Sequence, residues 1–212
     1  MNILYLVHAN YWDDYSGTPI LTQELANLAV KNNCNVCVLT PSVKINENLI
    51  KKDKIFYTNV KAFNNWSVDA FSVEDNLKFE NLKLPFNPDI VHVIDWVNFD
   101  PNILKYLKNL KIPIIRHINS FEDICYFMHP IYQHNDNSPC EAPLKIETCS
   151  RCISSNIYNK KKILKKIKSL IFNERSRDYN KFFNKFKNRD EFINKQMNEI
   201  YDHLIFGSKS FA

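Results

Sequence analysis

The cysteines form the sharpest local pattern in this 212-residue sequence, because four of the six lie within one stretch of 28 residues. They are Cys125, Cys140, Cys149 and Cys152, separated by 14, 8 and 2 residues. The last two form a C-x-x-C motif, whose spacing lets two thiolates bind one tetrahedral ion. We expect the four thiolates to bind a structural zinc ion, and an iron–sulfur cluster is the alternative. His129 or His134 could replace one cysteine as a metal ligand.

A histidine that ends an apolar run indicates a second kind of chemistry. The run is Pro113–His117, and a neutral imidazole at its end can hydrogen-bond a hydroxyl group or polarise a reacting group. The simpler explanation is a strand-end histidine bonded to the backbone. Arg116 and Asn119 flank His117, and we count both as candidate substrate-binding residues.

Three polar or aromatic residues, Asp95, Trp96 and Asn98, follow another apolar run, Ile90–Ile94. A carboxylate, an indole and an amide suit a sugar, because together they offer hydrogen bonds and an apolar face for stacking. They are therefore candidate substrate-binding residues. His92 lies inside the run, and we expect it to be a core histidine with its hydrogen bonds made.

Gly17 and Thr18 stand where a helix is predicted to begin. Backbone N–H groups and the helix dipole make such a position suited to phosphate, and the alternative is a turn glycine with a capping threonine. The sequence has two glycines in all, and it contains neither a G-x-G-x-x-G pattern nor a Walker-type loop. Dinucleotide-binding and P-loop proteins are therefore disfavoured.

The elements that must position these residues alternate between strands and helices. Ile3–Val7 predicts a strand, Thr18-Pro19 opens a helix that runs to about Lys31, and Val36–Leu39 predicts a strand that Pro41 ends. Further strands are predicted at Ile55–Phe63, Ile90–Ile94, Pro113–His117 and Leu204–Phe206, and helices at Ser72–Lys83, after Asp100-Pro101 and within 154–202. The pattern predicts an α/β protein with an open parallel sheet and helices on both faces.

Ligands of such sheets bind beyond the carboxyl ends of the strands. That rule selects residues 8–18, 94–98, 117–120 and 207–208 as the functional rim. Cys34 and Cys37 lie in or beside the second strand instead, and we expect them to be buried apolar filler.

These features, in this order, resemble the N-terminal domain of glycosyltransferase family 4. The resemblance covers nearly the whole sequence, and order and spacing carry more weight than any single motif. One departure is that the family has two adjacent glycines where this sequence has Gly17 and Thr18. The matching segments are Ser16-Gly17-Thr18-Pro19, Val38-Leu39-Thr40-Pro41, Pro88-Asp89-Ile90-Val91-His92, Ile114-Ile115-Arg116-His117, the cysteine-rich insert and Asp202-His203-Leu204-Ile205-Phe206-Gly207-Ser208.

The resemblance implies the acceptor-side, Rossmann-like half of a GT-B glycosyltransferase that uses a nucleotide-sugar and retains the sugar's configuration. His117 then corresponds to the histidine near the reacting sugar, and Gly17 to the phosphate contact. No D-x-D pair occurs in the sequence, in agreement with transfer that needs no catalytic metal. We expect residues 1–212 to form one domain with a cysteine-rich insert at 121–153 and a basic helical segment at 154–202. The donor-binding C-terminal domain would act in cis or in trans, and the chain alone would be inactive.

The charge distribution bears on location and partners. Residues 1–153 hold 14 basic and 17 acidic side chains, a net of −3, whereas residues 154–212 hold 14 and 6, a net of +8. Lys160–Lys168 predicts a basic amphipathic helix that could lie on an anionic membrane and bring the protein to a lipid-linked acceptor; an ordinary surface helix is the alternative. We see no bilayer-spanning run or secretory signal, and expect a cytoplasmic protein, peripheral at most to the inner membrane face.

Two other functions stay open on the sequence alone. A non-catalytic module that binds a sugar, a lipid head group or a partner protein would need no donor-binding domain. A zinc-containing nucleic-acid-binding protein would combine the cysteines with the lysine-rich helix and with exposed aromatic residues. Phe182, Phe183 and Phe186 come near that pattern, but their spacing also suits a buried helical stripe, and we do not expect nucleic acid to be the partner.

Overall fold

The computed structural model describes residues 1–8, 17–42, 49–62, 82–100, 102–118, 145–152 and 174–206. In these ranges the chain is an α/β protein built on one seven-stranded sheet. The strands are β1 (Asn2–Leu6), β2 (Asn35–Ser42), β3 (Ile50–Lys52), β4 (Ile55–Lys61), β5 (Ile90–Val93), β6 (Ile114–Ile118) and β7 (His203–Phe206). The helices are α1 (Gly17–Lys31), α2 (Asn102–Asn109), α3 (residues 146–152) and α4 (Glu174–Lys195), and α4 continues into a π-helical turn, Gln196–Ile200.

The chain divides into two compact units. One consists of Met1–Asn119 with Gln196–Ala212 and contains the sheet, α1 and α2; the other is Ser120–Lys195 and contains α3 and α4. In α4, Phe186 and Ile193 are buried, which favours the buried-stripe explanation for Phe186 over an exposed aromatic surface. No helix in the described ranges is both long and apolar enough to cross a membrane.

The strand order identifies the architecture. The strands lie in the order β3-β4-β2-β1-β5-β6-β7, and every neighbouring pair is parallel except β3 and β4. If the six parallel strands are numbered along the chain, their spatial order is 3-2-1-4-5-6, as in doubly wound Rossmann-like sheets. The winding direction reverses between β1 and β5, so a crevice is expected at the carboxyl ends of these two strands. The predicted parallel sheet is therefore confirmed for six strands, and β3 departs from the prediction as an antiparallel strand.

Helix α1 packs on one face of the sheet. Its buried residues Ala26 and Ala29 join a core cluster that includes Tyr5 of β1, Val38 of β2 and Tyr57 of β4. These strand residues share one face because side chains alternate along a strand, and the small alanine side chains let the helix approach the sheet closely. Burial of this apolar cluster fixes the position of the segment between β1 and β2.

Helix α2 is held by three fully buried side chains, Ile103, Leu104 and Leu107, none of which belongs to the α1-side cluster. They recur at helical spacing, so one side of α2 is apolar. Because β2 and β6 lie on opposite sides of the β1–β5 pair, right-handed crossover connections would put α1 and α2 on opposite faces of the sheet. The predicted placement of helices on both faces therefore stays a prediction.

Two aspartates fasten neighbouring strands at the amino edge of the sheet. Asp89 accepts the backbone N–H of Asn2 at 2.7 Å and donates its own N–H to the Asn2 carbonyl at 2.8 Å. Asp202 makes the same two bonds with Ile114, both at 2.8 Å, and also accepts a hydrogen bond from Lys108 at 2.7 Å. The bond from Lys108, followed by that from Ile114, lowers the pKa of Asp202. The aspartate of the Pro-Asp-Ile-Val-His motif therefore has a structural function.

The prediction that Pro41 ends the second strand was wrong. Pro41 lies inside β2, opposite Val60 of β4. Because β1 pairs with β2 only as far as Leu39, the last part of β2 has one strand neighbour among the described residues, β4. A proline without an N–H group is tolerated on such an edge.

Three further details differ from the sequence predictions or fall outside the described ranges. Helix α1 begins at Gly17, so Thr18 lies in its first turn rather than at the N-cap. Strand β3 was not predicted, because its three residues are all exposed and give no apolar pattern. Most of the predicted helix Ser72–Lys83 lies outside the described residues.

Candidate functional site

The carboxyl ends of the parallel strands bring polar residues from distant parts of the sequence to one edge of the sheet. His8 lies two residues after β1, Asp95 lies two residues after β5, and His117 is the second-last residue of β6. The backbone N–H groups of Ile94 and Asp95 both donate to the Leu6 carbonyl, at 3.0 and 3.4 Å. The loops that leave β1 and β5 are therefore held side by side.

His8 and Asp95 form a hydrogen-bonded pair at the point where the strand order reverses. His8 Nδ1 lies 2.5 Å from Asp95 Oδ2. The Asp95 side chain is 2% exposed, whereas that of His8 is 26% exposed. From the sequence, Asp95 was predicted as a substrate-binding residue, whereas His8 was only the first residue of the predicted rim. The sequence could not pair the two residues, because their contact depends on β5 lying beside β1.

The pair has a definite chemistry. A carboxylate only accepts hydrogen bonds, so His8 Nδ1 must carry the proton, and in the neutral ring the lone pair then resides on Nε2. An imidazole oriented in this way can take a proton from a hydroxyl group, and the buried carboxylate stabilises the resulting imidazolium. Asp95 Oδ1 is buried and has no hydrogen-bond partner among the residues that the structure describes.

Arg116 of β6 is fully buried. Its Nη1 donates to the backbone carbonyls of Ile94 at 2.6 Å, His117 at 2.9 Å and Val93 at 3.4 Å. These bonds satisfy a charge that would otherwise be costly to bury, and they hold the end of β5 against β6 immediately before Asp95. The predicted contact of Arg116 with a substrate stays a prediction.

His92 and His117 stack on each other in adjacent strands. Their ring planes differ by 8° and their centroids are 5.8 Å apart, and Tyr5 packs on His92 at 5.4 Å. Burial, with smaller effects of His117 and Arg116, lowers the pKa of His92 to about 4. Burial and then Arg116 also lower the pKa of His117, so His117 has the neutral ring that its predicted role requires. His92 Nε2 and His117 Nδ1 are buried without a hydrogen-bond partner within the described ranges, so the hydrogen bonds expected for His92 are not seen there.

The loop after β5 is largely buried. Trp96 is 4% exposed, and Asn98 is half-buried in a left-handed conformation with φ 62°, which asparagine adopts more readily than most residues. Asp100 caps α2, as the sequence predicted, because its Oδ1 accepts the N–H of Asn102 at 2.8 Å. The predicted ligand contacts of Trp96 and Asn98 stay predictions.

Gly17 is the first residue of α1 and is exposed. Its φ is not in the left-handed region, and a Cβ added to it would meet no described atom within 4 Å. Neither conformation nor space therefore requires glycine. In the same turn the Thr18 carbonyl accepts the Thr22 hydroxyl at 2.8 Å. The open space is compatible with a phosphate at the helix N-terminus, and that contact stays a prediction.

We expect Gly17→Ala to raise the free energy of unfolding by about 0.5 kcal/mol, because alanine favours the helix and restricts the unfolded chain. Urea denaturation measures the difference. Asn33 is the matched control: its φ of 58° is left-handed, so Asn33→Ala should cost about 1 kcal/mol. A loss of stability in Gly17→Ala would contradict the expectation.

Cys149 and Cys152 lie three positions apart in α3, so their side chains share one helix face. Both are half-buried, and neither forms a disulfide within the described ranges. Cys125 and Cys140 lie outside the described residues, and those residues contain no group of three metal-ligating side chains. The zinc ion therefore stays a prediction. Of the two cysteines predicted as buried filler, Cys37 is fully buried and burial raises its pKa to about 12, whereas Cys34 is only half-buried.

Several sequence predictions fall on residues that the structure does not describe. Asn119 was placed among the substrate-binding residues, Lys160–Lys168 was predicted as a membrane-binding helix, and Gly207-Ser208 was placed on the rim. His129 and His134 were alternative metal ligands. These assignments stay predictions.

Comparison with known proteins adds no assignment. The sequence matches no protein-family model, and no curated protein matches it significantly. The functional argument therefore depends on the fold and on the side chains at the carboxyl edge.

Proposed function

We propose that this chain is the acceptor-binding half of a glycosyltransferase, which moves a sugar from a nucleotide-sugar to a hydroxyl group of a glycan or lipid-linked acceptor. One observation carries the proposal: the His8–Asp95 pair lies where the order of a doubly wound sheet reverses. Ligands of such sheets bind in this crevice, and an imidazole held by a buried carboxylate suits a ligand that bears hydroxyl groups.

The surroundings of the pair favour the same class of ligand. His117 lies in β6 at the same edge, and its lowered pKa keeps the ring neutral, able both to donate and to accept a hydrogen bond. Asn98 adds an amide in the loop that follows Asp95. Neutral donors and acceptors around one carboxylate fit an uncharged, hydroxyl-rich acceptor better than an anionic one.

A dinucleotide is a poorer candidate for this crevice. Dinucleotide sites need several glycines close together after the first strand, and the sequence has only Gly17 and Gly207. The N-terminus of α1 can still contact one phosphate of a nucleotide-sugar. In this proposal the nucleotide is bound mainly by a separate donor-binding domain, in cis or in trans.

The resemblance to glycosyltransferase family 4 supports the proposal through the order of its motifs. It places His117 near the reacting sugar, and it implies transfer without a catalytic metal and with retention of configuration. Peripheral membrane contact through Lys160–Lys168 and a structural zinc ion at the four cysteines are compatible with this function and are not required for it.

The proposal predicts that the purified chain binds simple glycosides at the carboxyl edge of the sheet. Titration of ¹⁵N-labelled protein with p-nitrophenyl glycosides should shift the amide signals of His8, Asp95 and His117. Asp95→Asn should weaken the binding on the order of tenfold, because the buried side chain would no longer orient the partly exposed His8 ring through a charged hydrogen bond.

The exposed His203 provides a control, since it begins β7 at the opposite edge. His203→Gln should leave glycoside binding unchanged. The proposal is wrong if no glycoside shifts the carboxyl-edge signals, or if the shifts occur only at the amino edge.

A further inference from the structure

We infer that His92 is a positioning residue for His117: its stacked ring fixes the plane in which His117 presents its imidazole to a hydroxyl group of the bound sugar. The inference rests on the proposed function, because it concerns how the carboxyl edge binds that ligand. From the sequence, His92 was predicted only as a core histidine. The sheet places it between the core and the histidine predicted to contact the sugar.

Three rings form a row across three neighbouring strands. Tyr5 of β1 pairs in register with His92 of β5, and the centroids of the two rings are 5.4 Å apart. His92 is paired in turn with Ile115 of β6. His117 follows two residues later on the same face, because side chains alternate along a strand. The His92 and His117 rings then stack with centroids 5.8 Å apart and planes that differ by 8°.

The row begins in the core and ends at the carboxyl edge. Tyr5 is 4% exposed and belongs to the core cluster on the α1 side of the sheet, whereas His92 and His117 are half-buried. Because β1 and β6 lie on opposite sides of β5, Tyr5 contacts His92 from one side and His117 contacts it from the other. A ring anchored in the core therefore supports His92, and His92 supports His117.

Such support has a physical consequence for His117. The torsion χ2 that orients a histidine ring is broad when nothing packs on the ring, and a nearly parallel aromatic neighbour restricts it. His117 Nδ1 is buried, so Nε2 is the nitrogen through which a ligand would contact the ring. A ring that is already held in its bound orientation loses less freedom when the ligand binds, and binding is stronger.

The charges around the stack agree with this role. Burial lowers the pKa of His92 to about 4 and also lowers that of His117, and Arg116 acts in the same direction on both rings. At pH 7.5 two neutral rings therefore face each other, without the repulsion that two imidazolium ions would have. A neutral His117 can hydrogen-bond a hydroxyl group without taking its proton. The inference adds no covalent step, so it is compatible with transfer that retains the sugar's configuration.

Titration of the full chain with p-nitrophenyl glycosides at pH 7.5 tests the inference. His92→Leu fills a similar volume but has no flat ring, and it should weaken binding about fivefold, the size expected when one side chain must be ordered on binding. His92→Phe keeps a flat ring and should bind like the wild type. Ile90→Ala truncates a half-buried side chain at the other end of β5. It controls for lost stability and should also bind like the wild type.

The ring orientation of His117 provides a second measurement, which a merely stabilising role of His92 would not change. Three-bond couplings from the His117 Cα to Nδ1 and Cδ2, measured by NMR on ¹³C,¹⁵N-labelled protein, report χ2. We expect one fixed orientation in the wild type, in His92→Phe and in Ile90→Ala. In His92→Leu the couplings should be averaged over several orientations.

Weaker glycoside binding and averaged couplings in His92→Leu alone support the inference. Averaged couplings in the wild type overturn it, and that measurement depends on no variant. If His92→Leu binds the glycoside as tightly as the wild type does, or if His92→Phe binds it as weakly as His92→Leu does, the inference is wrong and the proposed function stands. The absence of glycoside binding by the wild type overturns both.

Discussion

Arg116→Met is expected to lower the free energy of unfolding by about 3 kcal/mol, because it removes the buried side chain that donates to three backbone carbonyls. The carbonyls belong to Val93, Ile94 and His117, and Arg116 Nη1 donates to all three. Methionine fills much of the same volume but offers no N–H group. Part of the loss is offset, since the variant no longer buries a charge. Urea denaturation followed by circular dichroism measures the net change.

Two further variants test the reason for this loss. Arg116→Lys keeps the charge but replaces the planar guanidinium with a single ammonium, so it should fall between the wild type and Arg116→Met. Lys83→Met removes an exposed basic side chain and should change stability by less than about 0.5 kcal/mol. If Arg116→Met lost no more stability than Lys83→Met, the bonds to the carbonyls would not be holding β5 against β6.

Acid is expected to destabilise the protein through His92, by about 3 kcal/mol between pH 7 and pH 4. Burial lowers the pKa of His92 from 6.5 to about 4 in the folded protein. Above pH 6.5 the ring is neutral in both states, so it has no effect on stability. Between pH 6.5 and pH 4 the unfolded chain takes up a proton that the folded protein does not, so stability falls as the pH falls. His117, whose pKa is also lowered, acts in the same direction.

His92→Phe isolates this effect, because phenylalanine has similar volume, cannot titrate and can pack beside Tyr5 and His117. The free energy of unfolding of the variant, measured in urea at a series of pH values, should fall less steeply below pH 6.5 than that of the wild type. His203→Gln removes an exposed imidazole and serves as the control. Equal slopes in the wild type and His92→Phe would show that His92 is not held neutral by the fold.

The two predictions concern polar side chains near the carboxyl edge of the sheet that have different structural surroundings. Arg116 is held by backbone carbonyls and serves the fold, and His92 lies within the sheet with a ring that burial keeps neutral at pH 7. His8 and Asp95 differ from both, since one partner is buried and the other is partly exposed.

Several elements could be predicted because their signals are local. The β-branched run at Ile90–Ile94 predicts a buried strand, which the structure has at Ile90–Val93. Asp100 predicts the start of α2 through a cap that the structure contains. The prediction of where β2 ends failed, because the end of this strand depends on a neighbouring strand that is distant in the sequence. Pro41 would end a central strand, but it is tolerated in β2 because β1 stops pairing at Leu39.

The parallel sheet and the set of polar residues along its rim follow from the order of apolar runs and turns, since each depends on neighbours a few residues apart. Which of those polar residues meet depends on strand order, and strand order is a long-range property. His8 and Asp95 are 87 positions apart and meet because β5 pairs with β1 on the side that β2 leaves open. Nothing in either local segment specifies that pairing; the order in which the strands assemble into one sheet does.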